Sequence, residues 1–279
     1  MNRPRELKWI GRPVPRVDAV GKVTGGCKYM GDLMFPEMLW GRVLRAAHPH
    51  ALIRSIDTTA AEGMPGVVRV LTAADVPGLN GYGIAVPDQP VLCRDKVRYM
   101  GDAVALVLAE TAEDAAAALG RIEVVYEPLP PVDDAERAML PDSPLVHDDG
   151  NVHLHTQVAN GDIEAGFAAA AAIVDTVYQL PRQMHAFLEP EQGVGVPDAD
   201  GGVTVYCGAQ HPYRDQMQIS RSLGIKPQRI RVVASPTGGA FGGKDEITLQ
   251  ILLAMGALID MTDRIAAWAE AYGFGHKTG

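Results

Sequence analysis

Four glycines within six positions form the densest signal for chemistry in this sequence. They lie in Gly238-Gly-Ala-Phe-Gly-Gly-Lys244, directly after a predicted strand. Glycine has no Cβ and tolerates positive φ, so successive backbone N–H groups in such a loop can converge on an anionic group. A tight turn before a helix explains one or two of these glycines, but not four around one phenylalanine. We therefore interpret the segment as a candidate binding loop.

The same loop fits the first seven positions of the phosphate loop of nucleotide triphosphatases, G-x-x-x-x-G-K followed by Ser or Thr. The eighth residue here is Asp245. A carboxylate in place of the magnesium-binding hydroxyl would repel the phosphates that the loop should hold. A P-loop-like nucleotide binder is therefore kept only as a less favoured alternative.

A second candidate is a metal site at His185, Glu189 and Glu191. The first two residues are four apart, which on a helix would place them on one face. Pro190 argues against that helix. A buried or cofactor-facing polar strand is the alternative, and we predict no protein-ligated metal here.

The elements that must position this loop follow from hydrophobic runs and capping residues. Apolar runs predict buried strands, and a Thr111-x-x-Asp114 pattern predicts a helix start. Asp162 predicts the start of a second helix. Pro212 and Gly224 predict the start and the end of a third helix. The predicted strands are residues 67–72, 103–109, 122–126, 173–178, 203–207 and 230–234; the predicted helices are 112–119, 163–172, 212–223 and 247–259.

Composition excludes several classes of protein. The 279 residues are 47% hydrophobic and 21% charged, as in globular proteins, and the net charge of −9 disfavours nucleic acid as a partner. The longest apolar stretches are too short for a membrane span. The N-terminal residues lack the apolar core of a secretory signal, and the three cysteines, odd in number and far apart, indicate neither a disulfide framework nor a Cys-x-x-Cys metal site. We predict a cytoplasmic location.

Three separated blocks resemble the molybdenum-cofactor subunit of xanthine dehydrogenases and aldehyde oxidases, in both order and spacing. They are Met184-His-Ala-Phe-Leu-Glu-Pro190, Gly208-Ala-Gln-His211 and Gly238-Gly-Ala-Phe-Gly-Gly-Lys-Asp245. Further blocks near the N-terminus resemble the small "hammerhead" domain of the same family: Gly25-Gly-Cys-Lys-Tyr-Met-Gly-Asp32, Ala47-His-Pro-His-Ala51 and Val97-Arg-Tyr-Met-Gly-Asp-Ala-Val104.

The resemblance implies an α/β (α+β) fold, in which a hammerhead-type α/β domain precedes the first part of a molybdopterin-binding domain. We expect an N-terminal arm at residues 1–16, the hammerhead domain at 17–130, a linker rich in proline and acidic residues at 131–160, and the incomplete molybdopterin-binding domain at 161–279.

The resemblance also implies a function and a site. The family hydroxylates an electron-poor carbon with water as the oxygen source, and its electrons leave through iron–sulfur clusters to a flavin. By this resemblance Gln210, Gly239, Ala240, Phe241 and Gly242 would border the molybdenum and its pterin, which alone holds the metal. Asp245 would contact substrate; the alternative is that it caps the following helix.

Other parts of the enzyme are expected on other polypeptides. The sequence has no cluster-binding cysteine pattern or flavin motif, so 2Fe-2S and FAD would belong to an iron–sulfur subunit and an FAD subunit. Family subunits are commonly more than twice this long, and their proton-accepting glutamate lies in the second half. We therefore expect no catalytic residue here and no activity from this chain alone.

Two interpretations of the chain remain open. It is either one piece of a split subunit, partnered by a chain with the rest of the molybdenum domain, or a truncated, non-catalytic fragment that acts at most as an interaction module. The substrate, whether an N-heterocycle, an aldehyde or a related compound, is not determined by these residues.

Overall fold

The computed structural model describes residues 8–259 and 267–271. In these ranges the helices are α1 Ala19–Val23, α2 Thr59–Glu62, α3 Ala112–Leu119, α4 Ala135–Ala138, α5 Ile163–Ala169, α6 Pro212–Leu223 and α7 Gln250–Ile259. The strands are β1 Leu39–Arg45, β2 Ala51–Asp57, β3 Val67–Leu71, β4 Lys96–Val97, β5 Ala103–Ala109, β6 Glu123–Pro128, β7 Glu191–Pro197, β8 Val203–Cys207, β9 Ile230–Ala234 and β10 Ala267–Ala271.

The strands form two sheets. The larger one has seven strands in the order β3-β5-β1-β10-β7-β8-β9, and the smaller one has the order β4-β2-β6. β10 is parallel to β1 and antiparallel to β7, and β8 is parallel to β9. The large sheet therefore joins strands from both halves of the chain. This mixed helix and strand architecture confirms the predicted fold class.

β5 is the most deeply buried strand. All seven of its residues are buried, as its continuous apolar run predicts. Leu106 and Leu108 contribute to one hydrophobic cluster, while Ala105 and Val107 contribute to another, so both faces of the strand are covered. The predictions of strands at 103–109 and 67–72 are confirmed by β5 and β3.

α3 follows β5 as the capping pattern predicts. The Thr111 hydroxyl accepts the Asp114 N–H at 3.0 Å, and Ala115 and Ala118 are buried under the helix. The next strand, β6, pairs with β2 in the small sheet, not with the large sheet that contains β5. The strand, helix and strand therefore follow one another in sequence but connect two different sheets.

The second half of the chain places α6 and α7 against strands β7 to β9. Pro212 begins α6, and Gly224 ends it in the left-handed conformation at φ 67°. Gly193 and Gly195 of β7 lie directly beneath Leu253 of α7, where a Cβ would collide with its atoms. Two glycines in the strand therefore allow the close packing of helix on sheet.

Three predicted elements differ from the structure. The helix predicted at 247–259 begins three residues later, as α7 at Gln250. The predicted strand at 173–178 is wrong, since these residues pair with no strand in the described part of the chain, and Val174, Val177 and Tyr178 are exposed. A β-favouring run forms a strand only when another strand pairs with it. Asp162 does cap α5 by accepting the Ala165 N–H, but the helix ends at Ala169, three residues earlier than predicted.

Between β6 and β7 the chain runs through residues 129–190 with only α4 and α5 as regular elements. Among the described residues, no helix is both long and apolar enough to cross a membrane.

Candidate functional site

The glycine loop lies between β9 and α7 and contains three residues in the left-handed region. Gly239 has φ 103°, Phe241 has φ 53° and Gly242 has φ 92°. A Cβ on Gly242 would meet no atom closer than 3.7 Å, so this glycine is required by its backbone conformation and not by crowding. Phe241 holds an unfavourable conformation although its side chain is 76% exposed, and such strain is typical of functional loops.

The inner side of the loop is held by a buried ion pair. Lys244 Nζ lies 2.9 Å from Glu189 Oε2, and the two side chains are 1% and 8% exposed. The same carboxylate oxygen accepts the Gly238 N–H at 2.7 Å, and Lys244 Nζ also donates to the Glu189 carbonyl at 3.2 Å. Lys244 lies 4.7 Å from the centre of the Phe187 ring. Both ends of the loop are therefore attached to one glutamate.

This ion pair argues against two of the alternatives from the sequence. A phosphate-loop lysine must reach the phosphates of a nucleotide, whereas Lys244 is buried and bonded to Glu189. Glu189 is likewise unavailable to a metal, and no group of His, Cys, Asp and Glu side chains in the described residues is arranged to hold a metal ion.

The outer side of the loop presents hydrogen-bond donors. Gln210 reaches the loop at two points: its N–H donates to the Lys244 carbonyl at 3.1 Å, and its Oε1 accepts the Gly242 N–H at 3.2 Å. Within the described part of the chain, the N–H groups of Gly239, Ala240 and Phe241 have no acceptor. The structure thus brings these five predicted residues together around one set of unpaired donors, on the half-buried Gly239 and Ala240 and the exposed Phe241.

Asp245 lies at the end of the loop, in an ionic cluster that the sequence did not reveal. Its Oδ1 is 2.7 Å from His211 Nε2, and its Oδ2 is 3.9 Å from Arg214 Nη1. The alternative that Asp245 caps the next helix is wrong. Among the described residues its carboxylate accepts no N–H of α7, which begins five residues later at Gln250, and its oxygens face His211 and Arg214 instead. The Asp245 side chain is 37% exposed, so its carboxylate remains accessible.

Behind the loop lies a layer of buried polar side chains, which no pattern in the sequence indicates. Glu191 Oε2 accepts the Thr248 hydroxyl at 2.9 Å, and Gln250 Nε2 donates to Asp215 Oδ2 at 3.2 Å. Burial raises the pKa of Asp215 to about 7, although the hydrogen bond from Gln250 opposes this shift. Burial also raises the pKa of Glu191. Burial therefore disfavours the charged forms of both carboxyl groups beneath the loop.

A groove of about 600 Å³ opens next to the loop. It is lined by residues 184–188 together with Glu191, Gly243 and Thr248. His185 belongs to this wall, where its ring faces Gly242 and Gly243. The first resemblance block therefore lies against the glycine loop, although His185 and Gly242 are 57 residues apart in sequence.

Comparisons with known proteins identify related domains along the chain. Residues 24–130 match the family model described as aldehyde oxidase and xanthine dehydrogenase, a/b hammerhead domain, and residues 146–271 match that of the molybdopterin cofactor-binding domain. A probable xanthine dehydrogenase subunit from Bacillus subtilis (strain 168) is 53% identical over 243 residues, which are 87% of this chain and 33% of the relative.

One further relative and one solved structure lead to the same family. The nicotinate dehydrogenase large molybdopterin subunit of Eubacterium barkeri is 36% identical over 90% of this chain and 59% of its own. The solved structure of aldehyde oxidoreductase from Desulfovibrio gigas is similar with a TM-score of 0.85 and 32% identity, over 92% of this chain and 29% of that one. The chain thus spans between about a third and three fifths of these relatives. With its hammerhead and molybdopterin-binding domains, it belongs to the aldehyde oxidase and xanthine dehydrogenase family.

Proposed function

We propose that this chain supplies the hammerhead domain and the glycine-loop side of the cofactor site in a molybdenum hydroxylase. The enzyme would oxidise an N-heterocycle, an aldehyde or a related electron-poor carbon, with water as the oxygen source. Names of relatives support this class, since they include a probable xanthine dehydrogenase subunit, a nicotinate dehydrogenase subunit and an aldehyde oxidoreductase. The same matches favour this function over a non-catalytic fragment.

The observation that carries the proposal is the donor set on the outer side of the loop. Three neighbouring backbone N–H groups, at Gly239, Ala240 and Phe241, lack an acceptor in the described part of the chain, and the Gln210 amide lies beside them. Fixed N–H dipoles of this kind fit the oxygen-rich, anionic surface of a molybdopterin. The residues present therefore fit the cofactor that the family uses.

In this proposal the protein positions the cofactor, and the cofactor carries out the redox chemistry. When bound, the molybdenum group supplies oxygen transfer to the substrate carbon and accepts the electrons. Gly242 keeps the loop open towards the cofactor, because it has no side chain. Gln210 holds the Gly242 N–H with its carbonyl oxygen, which leaves its amide nitrogen free to donate to a ligand of the metal.

We propose that Asp245 contacts the substrate. His211 and Arg214 lie against its two carboxylate oxygens and would fix its direction. An anchored carboxylate accepts hydrogen bonds from N–H groups, which suits a nitrogen heterocycle better than a simple aliphatic aldehyde. No other side chain of this chain is proposed to touch the reacting atoms, and the proton-accepting glutamate of the family would come from the remaining polypeptide.

The proposed enzyme needs partners. Relatives of this chain are named as subunits, which supports separate iron–sulfur and FAD subunits that carry 2Fe-2S and FAD, together with a polypeptide that completes the molybdenum domain. We also propose a cytoplasmic location. Cys27, Cys93 and Cys207 are all free thiols, as expected in a reducing compartment.

The test is metal analysis of the protein purified from its host with everything that stays bound. We expect close to one molybdenum per chain, with the pterin and the partner subunits identified by mass spectrometry. Gly242→Val should lower the molybdenum content at least about tenfold by filling the open side of the loop. Gly25→Val is the matched control, since Gly25 also has positive φ and open space around it. A metal-free assembly, or full molybdenum in Gly242→Val, would overturn the proposal.

A further inference from the structure

The segment of residues 151–188, here called the strap, is unlike any other part of the described chain. Every residue from 152 to 186 is exposed. Twelve large apolar side chains of the strap are more than half exposed, from Phe167 at 51% to Leu188 at 96%. Isolated exposed apolar residues are ordinary, but so many within one segment mark a surface that another molecule covers.

The backbone of the strap is as exposed as its side chains. Apart from α5, the strap contains no helix or strand, and residues 171–188 form no hydrogen bond to other described residues. Extended backbone without partners forms no stable structure by itself, because ordering it costs conformational entropy that no contact offsets. Its N–H and C=O groups are available to pair with another polypeptide.

The strap is also poor in charge. Its 38 residues contain only four charged side chains, Asp162, Glu164, Asp175 and Arg182, which is about half the 21% found in the whole chain. Disordered linkers are enriched in charge, whereas the centres of stable interfaces are depleted of it. The composition therefore favours a permanently covered surface over a solvated linker.

Both ends of the strap are fixed to the folded part of the protein. At the start, the Asn151 side-chain amide donates to the carbonyls of Ala138 and Pro144. At the end, the strap leads into Glu189, whose carboxylate forms the buried pair with Lys244. Residues 184–188 of the strap also form one wall of the groove beside the glycine loop. A polypeptide seated on the strap would therefore reach the cofactor side of the loop.

We propose that the strap is the docking surface for the polypeptide that completes the molybdenum domain, meaning the region of the relatives beyond the part this chain matches. This inference rests on the proposed function for the identity of the partner. The chain covers 33% of the Bacillus subtilis relative and 59% of the nicotinate dehydrogenase subunit, so these relatives contain a large further region. The apolar strap ends at the open side of the loop, and the completing region must cover that side.

Hydrogen exchange read by mass spectrometry tests this proposal. The 279-residue chain alone is compared with the assembly purified from the host, in which peptide sequencing identifies the completing polypeptide, whether it is a second chain or continues the same one. We expect the amides of residues 171–188 to exchange at least about tenfold more slowly in the assembly. In Val177→Asp/Leu180→Asp that protection should disappear, because two charges would be buried in an apolar interface.

Val23→Asp is the matched control, because Val23 and Val177 are both 83% exposed and Val23 lies outside the strap. It should leave the protection unchanged. Equal exchange of the strap with and without the completing polypeptide would overturn the proposal. The proposal would also be overturned if the strap of the chain without partners exchanged more slowly as the concentration of the chain rises. That result would mean that the strap binds a second copy of the chain.

Molybdenum content measured on the same samples separates this inference from the proposed function. Slow hydrogen exchange of the strap in an assembly without molybdenum would contradict the proposed function but would still support the proposed interface. An unprotected strap in a molybdenum-loaded assembly would contradict the interface alone.

Discussion

The glycine loop and the strap both present an exposed outer surface, but they differ in what lies behind them. The loop is supported by a buried ion pair and by the polar layer around Glu191 and Asp215. The strap has no comparable support, because residues 171–188 form no hydrogen bond to the rest of the described chain. This chain therefore stabilises the glycine loop by itself, whereas the strap, in our proposal, is stabilised by another polypeptide.

The largest effect on stability is expected when the buried ion pair behind the glycine loop is removed. Lys244→Met would leave the Glu189 carboxylate buried without its cation, so we expect the free energy of unfolding to fall by about 3–5 kcal/mol. Urea unfolding of the chain without partners measures this. In Lys244→Met/Glu189→Leu the unpaired charge is absent and a large part of the loss should be recovered. A loss below about 1 kcal/mol for Lys244→Met would show that the loop is not held by this pair.

The polar layer behind the loop should make stability depend on pH. Burial raises the pKa of Asp215 from 3.8 to about 7, so the folded state binds a proton that the unfolded state has released between these values. The contribution of this group to stability is therefore complete below about pH 4 and is lost as the pH rises through about 7. Asp215→Asn should reduce this dependence, with Glu191 supplying what remains, and should stabilise the chain at about pH 8 by roughly 2 kcal/mol.

Unfolding measured at about pH 5 and about pH 8 gives the change in stability with pH for each variant. Asp149→Asn serves as a control, because Asp149 is exposed, and it should retain the dependence of the unsubstituted chain. The same pH dependence in Asp215→Asn would assign the effect to another group.

A smaller effect separates the shape of the loop from its chemistry. Gly242→Ala and Gly25→Ala both place a side chain at positive φ in open space, so each should lower the free energy of unfolding by about 1 kcal/mol. Only Gly242→Ala should also lower the molybdenum content of the assembled protein. Equal molybdenum contents in the two variants would show that Gly242 does not border the cofactor.

The smallest effect is expected in the strap. Val177→Asp should change the stability of the isolated chain by less than about 0.5 kcal/mol, because this side chain is 83% exposed and packs on nothing that the described chain supplies. Thermal unfolding of the chain without partners measures this change. A loss above about 1 kcal/mol would mean that the strap packs on its own chain, and the contrast with the loop would disappear.

Much of the fold could be predicted because its local signals are strong. The apolar run of β5 and the cap at Thr111 each determine an element directly. β7 was not predicted, because its Gly193 and Gly195 have low strand propensity and are required by the contact with α7. The predicted strand at 173–178 shows the opposite error, since its residues favour strands but find no partner within the described chain.

The candidate site was predicted only where residues are close in sequence or carry a family motif. Gln210 and the loop residues came from such motifs, and the structure brings them together. The Lys244–Glu189 pair joins positions 55 residues apart, and no periodicity reports such a contact. The same is true of His211 and Asp245, which meet only because α6 begins where the loop ends.

The position of β10 has a consequence for the order in which the protein acquires its structure during synthesis. Residues 267–271 lie in the middle of the seven-stranded sheet, between β1 and β7, although they are made after every other described strand. Until the ribosome has delivered them, the edges of β1 and β7 that β10 will cover stay open to other chains. The nascent polypeptide therefore passes through a long interval of exposed sheet edges, in which chaperone binding and aggregation compete with completion of the sheet.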